Sequence, residues 1–157
     1  QPQYSALWRV IEAEVVPLSQ REGIGQIVWS PMAQGVLTGK YLPGKKAPAG
    51  SRATDKKSGA AMISRWMKDD VLEAVQLLKP IAESVDLSMS QMALAWVLQN
   101  PNISSAIMGA TKPAQIKDNV KASGVKLPPE VMKAIDGAIG KVAERDPKKN
   151  VSPNRRP

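Results

Sequence analysis

The sequence predicts an α/β protein built as part of a (β/α)8 barrel, and three observations lead to this fold class. Two short apolar runs, residues 27–29 and 103–108, have the length and composition of buried strands. Segments with helical periodicity lie between and after them, and this alternation is typical of parallel βα units. The chain has 157 residues, whereas a complete barrel takes about 250. Two strands and a strand end therefore cannot close a barrel within this chain.

The first part of the chain predicts a strand end, a helix and a strand. Residues 1–9 have the pattern of a strand that leaves into a turn, and residues 12–21 that of a short helix. Gly23 is suited to end this helix, and Pro17 is tolerated only within its first turn. The strand that follows stops at Pro31, because proline cannot donate a hydrogen bond to a central strand.

A long basic segment follows, from residue 31 to residue 68. It is rich in Gly, Pro, Ser and Lys, and its spacing predicts no helix except a short one near residues 60–67. Between residues 40 and 68, eight cations stand against the single carboxylate of Asp55. Such a segment could attract nucleic acid, an acidic surface or a phosphorylated small molecule, or be a solvated loop. Trp66 alone is not a stacking platform, so we predict no nucleic-acid partner.

Two helices with apolar stripes come next. The first is expected to begin at Asp69 or Asp70 as its N-cap, and Pro80 is expected to kink it or to leave a gap in its backbone hydrogen bonds. At the start of the second, Ser88 and Gln91 form a capping-box pattern. Its apolar stripe predicts core packing rather than a binding surface, and consists of Met89, Met92, Ala93, Trp96 and Val97.

The remaining chain predicts the second strand and two more helices, at about residues 112–122 and 129–143. The end of the chain carries proline and charge without an apolar stripe, which is typical of an extended or disordered tail. We therefore expect one barrel portion, residues 1–145, followed by a tail, residues 146–157.

Composition excludes several kinds of site. The chain contains no cysteine and no histidine, so it lacks thiolate metal ligands and the commonest general base. No run approaches the roughly 20 apolar residues of a membrane-spanning helix, and the chain does not open with a signal-peptide pattern. We expect a cytoplasmic protein with no metal centre and no membrane partner.

A barrel carries its functional site at the carboxyl ends of its strands. After the second strand, Gly109 would let a ligand approach the backbone. Thr111 and Pro113 begin a helix whose free N–H groups and positive dipole end suit an anion, and Lys112 adds a charge. From these residues alone, an anion site and a merely capped helix remain equally open.

Three motifs occur in order along the chain: QPQYS at residues 1–5, WSPMAQGVLTGKY at 29–41 and GATKPAQIKDN at 109–119. They resemble the cofactor-binding motifs of the aldo-keto reductases, in particular the branch that includes the potassium-channel β subunits. The resemblance covers nearly the whole chain but fits only the C-terminal half of such a protein. It implies the C-terminal portion of a TIM barrel, with the N-terminal half of the same barrel as its structural partner.

The resemblance also implies an NADP(H) site. Gln1 corresponds to the residue that hydrogen-bonds the nicotinamide carboxamide, Trp29 to the ring that stacks on the nicotinamide, and Arg52 to the loop arginine near the adenosine phosphate. The other implied contacts are the pyrophosphate (Ser30, Pro31, Met32, Ala33, Gln34, Lys40), the 2′-phosphate (Gly109, Thr111, Gln115) and the adenine edge (Asp118, Asn119). The basic segment would be a strap that folds over the cofactor.

Two positions depart from the family pattern. Many members have arginine where Gln115 stands, which leaves the choice between NADPH and NADH open. Members of the channel-subunit branch often have tyrosine where Gly50 stands, so one loop contact is missing. The family's catalytic Tyr, Lys, Asp and His all come from the first half of the barrel. We therefore expect no catalytic residue in this chain, and reject Lys40 and Tyr41 as an acid pair because adjacent residues seldom face one site.

The function implied by the resemblance is the cofactor-binding part of an NADP(H)-dependent reductase that acts on aldehydes or ketones. The alternative is a regulatory subunit in which a bound nicotinamide reports redox state to a membrane channel. The carbonyl substrate cannot be identified from these residues, and a homo-oligomer remains open.

Overall fold

The computed structural model describes residues 1–150, in which helices and strands alternate as the sequence predicts. The elements in chain order are α1 (Val15–Arg21), β1 (Gln26–Trp29), α2 (Gly59–Ile63), α3 (Asp69–Gln76), α4 (Leu78–Glu83), α5 (Met89–Leu98), β2 (Ile103–Ile107), α6 (Pro113–Asn119) and α7 (Pro129–Ile139). Short 3₁₀ turns lie at Ala33–Thr38, Arg52–Thr54, Ser64–Trp66, Val120–Ala122 and Pro147–Lys149. The short helix predicted near residues 60–67 of the long basic segment is confirmed as α2 with the 3₁₀ turn after it, and two further 3₁₀ turns divide the rest of the segment.

The sheet is parallel and open. β1 pairs with β2 in parallel, with Trp29 opposite Ile107. On its other side, β1 meets the predicted strand end at the start of the chain, where Gln3 forms a parallel bridge with Trp29. The Tyr4 N–H donates to the Trp29 carbonyl at 3.2 Å. Three parallel segments of this kind form an arc of a (β/α)8 barrel, as predicted.

The two faces of this sheet have different environments. Val28 is fully buried in the hydrophobic core. Ile27, Trp29 and Ile107 are 42%, 40% and 44% exposed, and the period of two along a strand places Ile27 and Trp29 on one face. In a closed barrel one face of the sheet forms a packed interior. The exposed apolar face is therefore the one that further barrel strands would cover.

Helix α5 is the centre of the core. The residues from Gln91 to Val97 are all buried, and the Trp96 ring lies 5.3 Å from the Tyr4 ring. The predicted capping box is confirmed, since the Gln91 N–H donates to Ser88 Oγ at 3.2 Å and the Ser88 N–H donates to Gln91 Oε1 at 2.9 Å. The apolar stripe predicted for this helix packs in the core, as expected.

The helix predicted to kink at Pro80 is divided into α3 and α4. The break falls at Leu77, which places Pro80 in the first turn of α4, where its missing N–H needs no partner. The predicted N-cap is wrong: Lys68 occupies that position and makes no side-chain cap. Asp69 instead accepts a hydrogen bond from the Gly44 N–H at 3.0 Å, a contact with the distant basic segment.

The predicted tail begins with ordered structure. Asp146 Oδ1 accepts a hydrogen bond from the Lys148 N–H at 3.0 Å, and Lys149 pairs with Glu144. The expectation of an extended or disordered tail is therefore wrong for residues 146–150, and residues 151–157 lie outside the described part of the chain. Within residues 1–150, no helix is long and apolar enough to cross a membrane.

Candidate functional site

A cleft of about 540 Å³ opens at the carboxyl ends of β1 and β2. This is the end of a parallel sheet at which α/β folds bind ligands. Its walls are the turn after β1, the segment around Arg52 and the connection from β2 into α6. Eleven of the predicted site residues line it: Ser30, Pro31, Met32, Gln34, Lys40, Arg52, Gly109, Thr111, Gln115, Asp118 and Asn119.

The first wall is a strained turn directly after β1. Ser30, Ala33 and Gln34 have φ angles of 56°, 48° and 59°, in the left-handed region that costs a residue other than glycine roughly 1–2 kcal/mol. Apolar side chains behind the turn hold it in place, since Ala33 and Val36 are fully buried and Leu37 nearly so. Core packing therefore fixes the shape of this wall.

Two cations face the cleft from the basic segment. The Arg52 guanidinium donates to Gln34 Oε1, and Gln34 Nε2 donates to Ser30 Oγ. This chain of hydrogen bonds ties the segment to the strained turn. Lys40 is exposed, and its Nζ would lie 3.2 Å from a Cβ added at Gly35. A residue without a side chain at position 35, where φ is 95°, lets the lysine lie against the backbone.

The groups that the basic segment and the opposite wall present to the cleft fit a polyphosphate. The Ser51 hydroxyl is buried and has no hydrogen-bond partner among the described residues. An unsatisfied buried group of this kind costs about 1–3 kcal/mol, and a phosphate oxygen would supply the partner once neighbouring atoms moved aside to expose the hydroxyl. On the opposite wall nothing lies within 4 Å of a Cβ added at Gly109, so a ligand can approach that backbone. Lys40 and Arg52 would then neutralise phosphate charge.

The connection into α6 differs from the prediction of free N–H groups. Gln115 Oε1 accepts hydrogen bonds from the Thr111 N–H at 2.8 Å and the Lys112 N–H at 3.3 Å. The Thr111 hydroxyl donates to the same oxygen at 3.2 Å. An anion could use these donors only after the exposed Gln115 side chain moved away. Lys112 itself does not line the cleft.

Asp118 is held at the rim of the cleft by α5. Gln91 Nε2 donates to Asp118 Oδ1 at 2.8 Å and to the Asp118 carbonyl at 3.0 Å. The Ser88 hydroxyl lies 3.4 Å from Oδ2 of the same carboxylate. The neighbouring Asn119 is buried. The capping box of α5 thus also positions a carboxylate of the cleft, a coupling that the sequence pattern does not reveal.

Three predicted site residues lie outside the cleft wall. The Ala33 side chain is fully buried and its N–H donates to the Ser30 carbonyl at 2.9 Å, so the predicted pyrophosphate contact by Ala33 is not available in this conformation. Trp29 lies beside the cleft on β1, directly opposite the cleft residue Ile107 on the neighbouring strand β2. Gln1 is exposed near the strand end next to Trp29. The roles of Trp29 and Gln1 at a nicotinamide ring stay predictions.

The cleft also contains residues that were not predicted as contacts. All but Ser90 lie within two residues of a predicted site residue along the chain, so this nearness could have indicated them. Ser90 is different, because it belongs to the first turn of α5, a helix whose pattern indicates only core packing. The additional lining residues are Gly35, Thr38, Gly50, Ser51, Ser90, Ile107, Met108 and Ala110.

The two tyrosines of the chain are not placed to donate a proton into the cleft. The Tyr4 hydroxyl donates to Glu12 at 2.8 Å, and burial, together with the Glu12 carboxylate, raises the pKa of this phenol. The Tyr41 hydroxyl is buried and Tyr41 does not line the cleft. Both side chains serve packing.

Comparison with known proteins assigns the chain to a family. The sequence model of the Aldo/keto reductase family matches residues 1–139. The chain belongs to the aldo-keto reductase family. A solved structure of a glycerol dehydrogenase from Gluconobacter oxydans shares the fold, with a TM-score of 0.69 at 23% identity over 99% of this chain and 45% of that chain. The α/β fold, an incomplete TIM barrel, is therefore confirmed.

Curated relatives of this aldo-keto reductase chain carry two kinds of name. A probable voltage-gated potassium channel subunit beta from Oryza sativa subsp. japonica is 44% identical over 142 residues, which is 88% of this chain and 43% of the relative. A putative voltage-gated potassium channel subunit beta from Schizosaccharomyces pombe is 45% identical over 140 residues, covering 87% and 40%. An L-glyceraldehyde 3-phosphate reductase from Escherichia coli K12 is 34% identical over 124 residues, covering 78% and 35%. The chain spans about two fifths of the length of these relatives.

Proposed function

We propose that this chain is the cofactor-binding part of an NADP(H)-dependent aldo-keto reductase that reduces aldehydes or ketones to alcohols. The observation that carries the proposal is the cleft at the carboxyl ends of the strands. Eleven of the fourteen positions implied by the family resemblance line it, although they come from separate stretches of the chain. Cations, hydroxyls and a glycine with open space beside it lie together there, as a dinucleotide phosphate site requires.

Each part of the cleft would bind a different part of the cofactor. Asp118 and Asn119 would hold the adenine edge, and Arg52 with Thr111 the 2′-phosphate. Lys40 would neutralise the pyrophosphate beside the strained turn. From there the nicotinamide end would extend along the strand ends toward Trp29 and Gln1. The bound cofactor supplies the hydride, and these residues bind and orient it.

The exposed sheet face supports a second part of the proposal. Ile27, Trp29 and Ile107 expose apolar surface that a closed barrel would bury. We infer that the N-terminal half of the same barrel covers it and supplies the pocket for the carbonyl substrate. The chain's share of its relatives' length agrees with this division. The groups that transfer the proton would also come from that half.

The test uses the full polypeptide, with both halves of the proposed barrel, and a matched pair of lysine substitutions. Lys40 lines the cleft, whereas Lys45 belongs to the same exposed segment and does not. Lys40→Gln should weaken NADPH binding by about tenfold, the scale of one charge-assisted hydrogen bond. Lys45→Gln should change it less than about twofold, as expected for a solvated charge. Equal losses in the two variants would contradict the placement of the cofactor.

A turnover assay separates the reductase from the regulatory alternative. NADPH consumption with a generic aldehyde, and its loss in Lys40→Gln at low cofactor concentration, is the result expected of a reductase. Tight NADPH binding without reduction of any aldehyde or ketone would instead favour the nicotinamide-binding regulatory subunit. The names of the relatives do not separate these functions, because both kinds occur among them.

A further inference from the structure

A second cleft, of about 750 Å³, shares no lining residue with the proposed cofactor cleft. Its walls come from the turn containing Trp8, from the 3₁₀ turn Ser64–Trp66 with the first residues of α3, and from the segment between Lys141 and Lys149. We call it the basic cleft, because five cations line it against two carboxylates, Asp70 and Glu144. The cations are Arg65, Lys68, Lys141, Lys148 and Lys149.

Of the two carboxylates of the basic cleft, Glu144 pairs with a cation and Asp70 does not. Glu144 pairs with Lys149, and this hydrogen bond lowers the pKa of the Glu144 carboxyl. Asp70 Oδ1 accepts a hydrogen bond from the Val71 N–H at 2.9 Å. Across residues 1–150 no ion pair involves the other cations of the cleft. An external anion would therefore meet four cations that are unpaired within the described residues, Arg65, Lys68, Lys141 and Lys148, against the single carboxylate of Asp70.

Arg65 differs from the three lysines because its charged group packs against two aromatic rings. Its guanidinium carbon lies 4.6 Å from the centre of the Trp8 ring and 5.9 Å from that of Trp66. The two indoles meet edge to face at 6.1 Å, and Trp66 is buried. Cation–π contact holds the side chain while its N–H groups remain able to donate. An anion would therefore meet an arginine whose guanidinium the two rings already orient.

The arrangement suits carboxylates on an extended chain better than a nucleotide or a free phosphate. Trp8 has Arg65 over its ring and the Trp66 ring packed against it edge to face, so it is not a free stacking surface for a base. The first turn of α3 carries Asp69 and Asp70, which oppose a compact anion at that helix end. The cations instead come from separate elements, with apolar groups of Val71 and Val142 in the same cleft.

We propose that the basic cleft binds an acidic peptide segment of a partner protein, with Arg65 as its central contact and the lysines around it. Charge complementarity across such a surface sets specificity and the rate of association. The apolar groups between the cations would accept side chains that alternate with the carboxylates. This inference stands on the cleft alone and does not depend on the cofactor proposal.

The experiment measures binding of two labelled peptides to the intact polypeptide by fluorescence anisotropy. One is a Glu–Ala repeat and the other is the same repeat with Gln in place of Glu. The acidic peptide should bind, with an affinity that falls as salt rises, and the neutral peptide should not. Lys141→Gln with Lys148→Gln should weaken binding by about tenfold, since each lost charge contact contributes a factor of a few. The matched control, Lys45→Gln with Lys46→Gln, removes the same charge from the exposed basic segment and should change binding less than about twofold.

Two further variants test the arginine. Arg65→Gln should weaken peptide binding at least as much as the double lysine variant, and Arg65→Lys should restore part of the loss. The far-UV circular dichroism spectrum and a cooperative thermal unfolding transition should be retained in both, which shows that they are folded. Equal losses in the cleft and control variants would overturn the proposal, as would failure of the acidic peptide to bind. Tighter, cleft-dependent binding of a duplex oligonucleotide would overturn it in favour of nucleic acid.

Discussion

Gln115 is the position at which one substitution should change the choice between NADPH and NADH. Its Oε1 accepts the Thr111 N–H at 2.8 Å and the Lys112 N–H at 3.3 Å, two donors that a 2′-phosphate could otherwise use. We predict that Gln115→Arg raises the preference for NADPH and that Gln115→Glu lowers it. The glutamate matches the native side chain in shape and keeps the two hydrogen bonds, so it changes little besides charge.

The expected size follows from the exposure of this residue. A hydrogen bond to a charged group contributes about 1.5–3 kcal/mol, and screening at an exposed site reduces this to roughly 1–2 kcal/mol for Gln115→Arg. In Gln115→Glu, a carboxylate would lie near the phosphate. Two unit charges 4 Å apart interact by about 1 kcal/mol in water and about 4 kcal/mol near a protein surface. We expect the lower part of that range, and therefore a change of about tenfold in each direction.

The assay is the dissociation constant of NADPH and of NADH for the native protein and both variants, at low and high salt. The ratio of the two constants should rise in Gln115→Arg and fall in Gln115→Glu, and both changes should shrink as salt rises. Affinity for NADH should stay nearly constant throughout. If both cofactors respond equally to the glutamate, Gln115 does not lie at the 2′-phosphate and the proposed orientation of the adenosine is wrong.

Three further predictions concern the cleft and the helix behind it. Arg52→Ala should weaken NADPH binding by about fivefold, because one exposed charge contact is lost, and should change NADH binding little. An equal loss of affinity for both cofactors would mean that Arg52 acts by holding Gln34 in place. Trp29→Ala should cost roughly 1 kcal/mol of NADPH affinity, the scale of an aromatic pairing, and should reduce the quenching of tryptophan fluorescence by the cofactor, whereas unchanged affinity would remove this ring from the site. Ser88→Ala should lower the free energy of unfolding in urea by about 1 kcal/mol, because an N-cap is lost, and should also weaken adenine binding through Asp118; a stability loss without any change in binding would show that the two are not coupled.

Features with a local cause could be predicted from the sequence. The capping box joins Ser88 to Gln91 three residues away, and the division of the helix near Pro80 follows from one missing N–H. The gathering of two motifs in one cleft was also predictable, because both follow strands of a parallel sheet and such strands share one carboxyl edge.

Features that depend on contacts between distant segments could not be predicted. Asp69 is the first residue of its helix and not its N-cap, and its carboxylate accepts the N–H of Gly44, a residue in the basic segment. Ala33 takes a left-handed conformation because the core behind it requires that, and no local pattern indicates it. The Gln115 side chain accepts hydrogen bonds from the N–H groups of Thr111 and Lys112, just before its own helix. The spacing of polar residues does not predict this side-chain conformation.

The two walls beside the proposed pyrophosphate position differ in how they can move, and this difference would affect the rate at which a ligand leaves. The turn after β1 rests on buried side chains such as Val36, so displacing it would disturb the core. The opposing segment is tied across the cleft by Arg52 through Gln34 to Ser30, and the outer of these contacts is exposed to solvent. A ligand would therefore enter and leave by lifting the Arg52 side, while the β1 side stays fixed. The residence time of the cofactor would then be set by how often those hydrogen bonds open.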